Sequence, residues 1–327
     1  MKEKTQQLEQ IIQSDYANTA GVVVRKNGEV VYEGYFGEGA KDAPVQVFSV
    51  TKSVVSALIG IAMDKGCIKS VQQKVLEFLD DYTVKRGEKT IQNVTLENML
   101  TMTSPYKYKS APYTKYFSSE SWVKSSLDLL GGRGQIGEFR YAPLIGPDIL
   151  TGILANVTGC SALDFAKQNL FEPMGISVGN NIVFKSKEEQ LSFTKSKRVN
   201  GWVADPMGNN TAGWGLCLTT RDMAKIGQLY LDGGKWGEAQ IVSRKWIDAS
   251  TTEHSRCAQW GNLAYGYLWW LIDDKEKSFA AMGDGGNIIY VNRQKNLVVS
   301  SSAYFVPRAK DRIMLIKKEI EPLFSAL

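Results

Sequence analysis

Histidine is almost missing from this chain of 327 residues, which contains a single one, His254. Zinc hydrolases usually bind their metal through two or three imidazoles, and a Ser-His-Asp enzyme needs at least one well-placed imidazole. His254 lies in the polar segment 252–256, where we expect a surface side chain. The sequence therefore predicts no metal, no organic cofactor and no histidine base.

Cysteine and long apolar runs are also sparse. The four cysteines lie far apart without a Cys-x-x-Cys pair, so we expect reduced, mostly buried thiols rather than a zinc site or a disulfide framework. No run approaches the roughly 18 apolar residues of a membrane span. Residues 1–16 are polar with one short apolar stripe, which predicts a surface helix and not a signal peptide. We therefore expect a cytoplasmic protein without a membrane partner, provided that no leader precedes this sequence.

The sequence has no cluster of basic residues of the kind that binds nucleic acid. The chain has 39 Lys and Arg against 34 Asp and Glu, a formal net charge of +5, and its basic residues are scattered. Its length is about twice that of a usual domain, which leaves room for two lobes. We expect a small-molecule substrate and no nucleic-acid partner, with the oligomeric state left open.

Apolar-rich segments predict strands at both ends of the chain. Segments 21–26 and 29–36 flank Asn27-Gly28, the signature of a type I′ hairpin turn. Near the C-terminus a predicted helix over 308–323 follows four strand-like segments at 265–272, 278–282, 287–291 and 297–304. The pattern indicates an α/β (α+β) fold with one sheet built from both chain ends, divided by an insertion.

The middle of the chain has helical periodicity instead. Residues 49–65 predict a buried helix that ends at Gly66. Segment 104–119, rich in Tyr, Lys and Pro, is aperiodic and predicts a functional loop over a pocket. Further helices are predicted over 96–101, 121–130, 149–157, 162–170, 220–231 and 243–250. We expect residues 1–66 and 213–327 to form a sheet lobe and residues 67–212 a mostly helical one.

Ser49 and Lys52 form a Ser-x-x-Lys motif at the start of the buried helix, where positions i and i+3 share one face. A lysine amine kept neutral by burial and by the positive helix N-terminus can take the hydroxyl proton. This activates serine without histidine. In the alternative interpretation, Ser49 only caps the helix and Lys52 faces solvent.

The same spacing occurs three more times, so the motif alone is not specific. The other pairs lie in the predicted loop, on a short polar helix and in a charged linker, and we expect no buried amine in any of them. They are Ser104/Lys107, Ser121/Lys124 and Ser192/Lys195. Only Ser49 opens a strongly apolar helix.

Six segments in order carry a resemblance that spans nearly the whole chain. They are 47–53 (VFSVTKS), 94–104 (VTLENMLTMTS), 137–141 (GEFRY) with 149–159, 212–216 (AGWGL), 219–223 (TTRDM) and 265–270 (YGYLWW). Together they resemble the class C β-lactamase and penicillin-binding-protein-like serine hydrolases, which include esterases, D-amino peptidases and amide hydrolases.

The resemblance implies an ester or amide hydrolase that forms an acyl-enzyme on Ser49, with Lys52 as the base and Tyr141 as the proton relay. It also implies an antiparallel sheet flanked by helices, with the active site in the cleft between the lobes. A phenol beside an ammonium can titrate well below about 10, so we expect a lowered pKa for Tyr141. Backbone N–H groups of Ser49 and of a residue near Gly286 or Asn287 are expected to bind the oxyanion.

Two positions depart from the family pattern. Pro143 stands where an Asn is frequent, and Asp284 stands where Lys or His is usual, within the segment Gly283-Asp284-Gly285-Gly286-Asn287. An ionised Asp284 would repel a substrate carboxylate, so we expect neutral or cationic esters and amides rather than β-lactams or peptidoglycan stem peptides. The alternatives are a true β-lactamase or D,D-peptidase, and a catalytically impaired homologue that acts as a binding module.

Overall fold

The computed structural model describes residues 2–324, in which one antiparallel sheet joins the two ends of the chain. Strands Thr19–Lys26 and Glu29–Tyr35 pair around Asn27-Gly28, whose φ angles of 53° and 85° match the predicted type I′ turn. The first of these strands also pairs with Leu297–Ala303. Both chain ends therefore contribute to a single sheet.

In chain order the strands of the described residues are β1 (Thr19–Lys26), β2 (Glu29–Tyr35), β3 (Val45–Gln46), β4 (Asn181–Ile182), β5 (Trp202–Val203), β6 (Cys217–Leu218), β7 (Lys235–Trp236), β8 (Ala239–Gln240), β9 (Ser255–Cys257), β10 (Leu263–Tyr265), β11 (Trp270–Asp273), β12 (Ser278–Gly283), β13 (Asn287–Asn292) and β14 (Leu297–Ala303). The sheet has eight of these strands, in the order β2-β1-β14-β13-β12-β11-β10-β9. The six short strands outside the sheet form three pairs, β3 with β6, β4 with β5 and β7 with β8.

Helices make up most of the regular secondary structure in the central segment, residues 67–212. The α-helices are α1 (Lys2–Asp15), α2 (Val50–Asp64), α3 (Leu96–Leu100), α4 (Tyr113–Phe117), α5 (Trp122–Leu129), α6 (Asp148–Thr158), α7 (Ala162–Ala166), α8 (Lys187–Lys195), α9 (Thr220–Leu231), α10 (Arg244–Ser250), α11 (Arg312–Leu315) and α12 (Glu321–Phe324). Helical residues Lys167–Met174 continue α7, and residues Ile316–Ile320 join α11 to α12.

Helices cover both faces of the sheet. On one face, α1 and the C-terminal helix bury apolar side chains such as Leu8, Ile12 and Phe324 against β1, β13 and β14. On the other face, α2 and α9 pack against the central strands. The predicted fold class, an antiparallel sheet flanked by helices with a mostly helical insertion, is confirmed.

Among the described residues, no single helix has both the length and the apolarity of a membrane span; α6 and residues 162–174 pass that test only as a pair bent by 73°.

The predicted strand over 265–272 is wrong in its middle, where the chain turns. β10 ends at Tyr265 and β11 begins at Trp270. Between them, the N–H of Tyr267 bonds to the carbonyl of Ser250 at 3.0 Å, and Leu268 adopts a φ of +62°. The turn is thus held by a contact to α10, which an alternating pattern cannot reveal.

Two segments predicted to lack a helix contain one, α4 in the predicted loop 104–119 and α8 around the Ser192/Lys195 pair. In each helix one aromatic residue is buried against an aromatic residue outside the helix: Tyr116 packs on Trp122, and Phe193 packs on Trp214. Tertiary packing outweighs the local polarity of these segments. The last helix begins at Arg312, four residues later than predicted.

The sparse residue types differ in exposure. His254 is exposed, as predicted, and its ring stacks on Tyr267 at a centroid distance of 4.2 Å. All four cysteines are free, but only Cys217 and Cys257 are buried, while Cys160 is partly exposed and Cys67 exposed. The prediction of mostly buried thiols therefore holds for two of the four.

Candidate active site

A strained turn presents Ser49 at the start of α2. The pairing of β3 with β6 brings the segment before Ser49 alongside the segment that follows Gly213. Phe48 has a φ of +48°, which is uncommon for a residue with a side chain, and its ring packs on Phe305. The Ser49 side chain makes no capping bond to α2 and donates instead to the carbonyl of Gly213 at 3.2 Å. These contacts argue against a capping role for Ser49.

Lys52 is 2% exposed, and three oxygen atoms surround its amine. Its Nζ lies 3.0 Å from Ser49 Oγ, 2.8 Å from the carbonyl of Pro143 and 3.0 Å from the carbonyl of Gly213. The three donors of an ammonium match these acceptors. A neutral amine would keep two N–H bonds to the carbonyls and point its lone pair toward Ser49, which is the arrangement that a base requires.

Burial lowers the pKa of Lys52 to about 7, against the opposing effect of the Asp284 and Asp148 carboxylates. An ordinary lysine is fully protonated at neutral pH, whereas this one is neutral in a large share of the molecules. The alternative in which Lys52 faces solvent does not fit this geometry.

Gly213 allows the two carbonyls to converge on Lys52. A Cβ at this position would lie 2.5 Å from the carbonyl oxygen of Pro143, so a side chain would push the segments apart. The contact also gives Pro143 a role that the sequence does not show. Its side chain can donate nothing, but its backbone carbonyl accepts a hydrogen bond from Lys52.

Tyr141 lies beside the Ser49/Lys52 pair, with its ring centroid 5.1 Å from Lys52 Nζ. The ring also packs against Trp260 and Trp270, at centroid distances of 5.5 and 5.6 Å, and these two rings contact each other. Burial raises the pKa of Tyr141 to about 12, although its interaction with the Ser49 hydroxyl opposes the rise. The predicted lowering of this pKa is therefore wrong, because desolvation of the phenolate dominates. Tyr141 is a neutral phenol at neutral pH.

The turn between β12 and β13 brings Gly283 against the backbone around Ser49. A Cβ on Gly283 would lie 2.3 Å from the carbonyl oxygen of Val47 and 3.1 Å from the nitrogen of Ser49. Asn287 is buried, and its side-chain amide donates to the carbonyls of Asp284 and Ala303 at 2.8 and 2.9 Å.

The two glycines between Asp284 and Asn287 form the back of the same turn. Gly285 packs against the backbone of Tyr304, and Gly286 packs against the guanidinium of Arg312. Gly283 therefore lies against the Ser49 backbone. The predicted oxyanion amide near Gly286 or Asn287 stays a prediction, and the amide of Asp284, directly after Gly283, is a further candidate.

Asp284 is exposed, and it directly follows Gly283, which lies against the Ser49 backbone. Its negative charge acts on Lys52, Tyr113 and Tyr141. The carboxylate of Asp284 thus contributes to the potential that an incoming substrate meets.

Sequence reasoning missed two residues near the site. Trp260 is 51% exposed although its ring lies against those of Tyr141 and Trp270, and nothing in its local sequence indicates this long-range contact. Asp148 is 1% exposed, and its charge acts on Lys52. The sequence does contain a signal for Asp148, which is the single charged residue of the apolar segment 148–158.

Comparisons with known proteins identify the family of the chain. The family model described as Beta-lactamase matches residues 7–315. A 6-aminohexanoate-dimer hydrolase from Paenarthrobacter ureafaciens is 22% identical over 307 residues, which cover 88% of this chain and 73% of that protein.

Solved structures share the fold. A penicillin-binding protein homologue from Caulobacter crescentus superimposes with a TM-score of 0.78 at 15% identity, over 99% of this chain and 97% of that one. A family VIII carboxylesterase gives a TM-score of 0.72 at 15% identity, over 97% and 96% of the two chains. The chain belongs to the Beta-lactamase family and is a serine hydrolase.

Proposed function

We propose that this protein hydrolyses a small neutral or cationic ester or amide through an acyl-enzyme on Ser49. The observation that carries the proposal is the 3.0 Å contact between Ser49 Oγ and the buried amine of Lys52. An amine with a pKa of about 7 can accept the hydroxyl proton at neutral pH.

In the acylation step, Lys52 Nζ takes the proton of Ser49 as Oγ bonds to the substrate carbonyl carbon. The carbonyl oxygen becomes an oxyanion, which the backbone N–H groups of Ser49 and Asp284 would bind. Gly283 lies against the Ser49 nitrogen, and the N–H of Asp284 is the next amide along the chain. The positive N-terminus of the 15-residue helix α2 favours the same charge.

Tyr141 completes the proton path. As a neutral phenol it gives its proton to the leaving alkoxide or amine and recovers one from the Lys52 ammonium. A water molecule then attacks the acyl carbon, its proton passes to the neutral amine of Lys52, directly or through the Tyr141 hydroxyl, and Lys52 returns a proton to Ser49 as the acid product leaves. Lys52 and Tyr141 thus regain their starting protonation states at the end of each half of the cycle.

The site is proposed to lie in the cleft between the sheet lobe, residues 1–66 and 213–327, and the helical lobe, residues 67–212. In support, Ser49 and Lys52 come from α2, whereas Tyr141 and Pro143 come from the central segment.

Two observations bear on the substrate and on the rival functions. The exposed Asp284 disfavours anionic substrates, which supports an ester or amide without a carboxylate over a β-lactam or a stem peptide. The names of a dimer hydrolase and a carboxylesterase among the similar proteins support hydrolysis of an amide or an ester, but not the absence of a carboxylate, because an aminohexanoate dimer carries one. The Ser49, Lys52 and Tyr141 contacts oppose a role as a binding module, because binding alone needs no buried lysine beside a serine.

Hydrolysis of a short-chain p-nitrophenyl ester tests the proposal. Ser49→Ala should lower kcat/KM by about a thousandfold or more, because nucleophile and base act as a unit. The matched control is Ser121→Ala, which removes a serine that caps α5 through a bond from the Lys124 N–H. This control should lose only about 1 kcal/mol of stability and keep its rate. Retained activity in folded Ser49→Ala would contradict the proposal.

A further inference from the structure

Asp148 is a buried carboxylate that the proposed mechanism does not use. It begins α6, and its Oδ1 accepts a hydrogen bond from the N–H of Ala212 at 2.8 Å. Its Oδ2 accepts a second bond from the hydroxyl of Tyr116. Both oxygens are thus bonded in a place that solvent does not reach.

The bond to Ala212 connects Asp148 with the nucleophile. Ala212 directly precedes Gly213, whose carbonyl accepts hydrogen bonds from both Ser49 and Lys52. A second bond reinforces the link, since the hydroxyl of Thr151, on the next turn of α6, donates to the carbonyl of Asn210 at 2.6 Å. Helix α6 is therefore bonded to the 210–213 segment by two side chains, those of Asp148 and Thr151, and Asp148 can be charged.

Several titratable groups face Asp148 from the elements packed around it. They are Lys52 from α2, Tyr106 from the segment after α3, Tyr116 from α4 and Asp205 from the segment after β5. Burial raises the pKa of Asp148 to about 7, and the bonds from Tyr116 and Ala212 oppose the rise. The charges of Asp148 and Lys52 consequently change over the same pH range and are coupled.

We infer that Asp148 is a positioning residue of this active site, which holds the Gly213 carbonyl against Ser49 and Lys52 and controls, through its charge, how readily Lys52 becomes a base. The inference rests on the proposed function, because it assumes that Lys52 activates Ser49. Asp148 itself does not touch the reacting atoms.

The test is the pH profile of kcat/KM for a neutral p-nitrophenyl ester with wild-type protein, Asp148→Asn and Thr151→Val. Asparagine keeps an oxygen for the Ala212 N–H and removes the charge. Without that negative charge the neutral amine of Lys52 is favoured. The acidic limb of the profile, where kcat/KM rises with pH, should therefore move to lower pH by about half a unit or more. Thr151→Val breaks the neighbouring bond without changing any charge, and its limb should stay at the wild-type pH even if rate or melting temperature falls.

Tyr116→Phe provides a second route if Asp148→Asn folds poorly. Loss of the phenol donor favours protonated Asp148, so this limb should also move to lower pH, by a smaller amount. An unchanged limb in the active Asp148→Asn protein, or in Tyr116→Phe where Asp148→Asn does not fold, would overturn the inference while leaving the proposed function intact. Wild-type protein whose hydrolysis does not depend on Ser49 would instead overturn the proposed function, and the inference with it.

Discussion

The backbone carbonyl of Pro143 accepts a hydrogen bond from Lys52 Nζ at 2.8 Å. Pro143 is the residue whose side chain breaks the family pattern, yet its backbone helps to orient the base. Together with the Gly213 carbonyl it directs the amine toward Ser49. The departure at Pro143 is therefore compatible with catalysis.

The contact between Lys52 and the Pro143 carbonyl predicts a large loss of activity for one substitution and a small change for another. Gly213→Ala places a Cβ 2.5 Å from the Pro143 carbonyl oxygen and should lower kcat/KM by about a hundredfold, because the base loses its orientation. Pro143→Ala keeps the carbonyl and should retain kcat/KM within about threefold, with a slightly lower melting temperature from the more flexible unfolded chain. A larger loss in Pro143→Ala than in Gly213→Ala would show that the carbonyl contact does not orient Lys52.

The pKa of Lys52 predicts the pH dependence. Because the neutral amine is the active form, kcat/KM should be low below the Lys52 pKa of about 7 and rise as pH increases through it. Tyr141 must remain protonated, and its pKa of about 12 predicts no decline from this group in the range where the ester is stable. A profile that falls as pH rises through 7 would exclude Lys52 as the base.

Lys52 and Tyr141 should show non-additive effects, since they share one proton path. Lys52→Ala and Tyr141→Phe should each lower kcat strongly, and the double variant should be little slower than the slower single variant. Turnover rates of all four proteins, with melting temperatures to confirm folding, make up the measurement. Rate losses that multiply in the double variant would mean that the two residues act independently.

Asp284 should control substrate charge. Asp284→Lys should raise kcat/KM for a carboxylate-bearing β-lactam relative to a neutral ester by about tenfold, a shift of 1.4 kcal/mol. Asp284→Asn is the matched variant without a new charge, and it should give a smaller shift in the same direction. Added salt should weaken the effect, because Asp284 is exposed. A constant ratio in both variants would remove Asp284 from the site.

The sequence predicts the fold well where local signals are strong. The Asn27-Gly28 turn, the apolar helix after Ser49 and the strands at both ends all appear in the structure, because periodicity and turn chemistry are local properties. The break in segment 265–272 and helix α4 were not predicted, since both have contacts to residues distant in sequence, Tyr267 to Ser250 and Tyr116 to Asp148.

The candidate site, like the fold, could be predicted where the signal is local but not where contacts between distant residues decide. Ser49 and Lys52 share a helical spacing that can be read directly, and their 3.0 Å contact agrees with it. The raised pKa of Tyr141 depends on desolvation, and the approach of Gly283 to Ser49 depends on packing between segments distant in the chain. No local pattern carries that information.

Covalent labelling tests the central claim, that Ser49 is the nucleophile, most directly. Wild-type protein and Ser49→Ala would be treated with a fluorophosphonate at pH 8, and intact masses and peptide maps recorded. The account predicts one phosphonyl adduct per wild-type chain, with fluoride lost and the new P–O bond on Ser49, and no adduct on the variant. An unlabelled wild-type chain, or an adduct on Ser104 or Ser121, would contradict it.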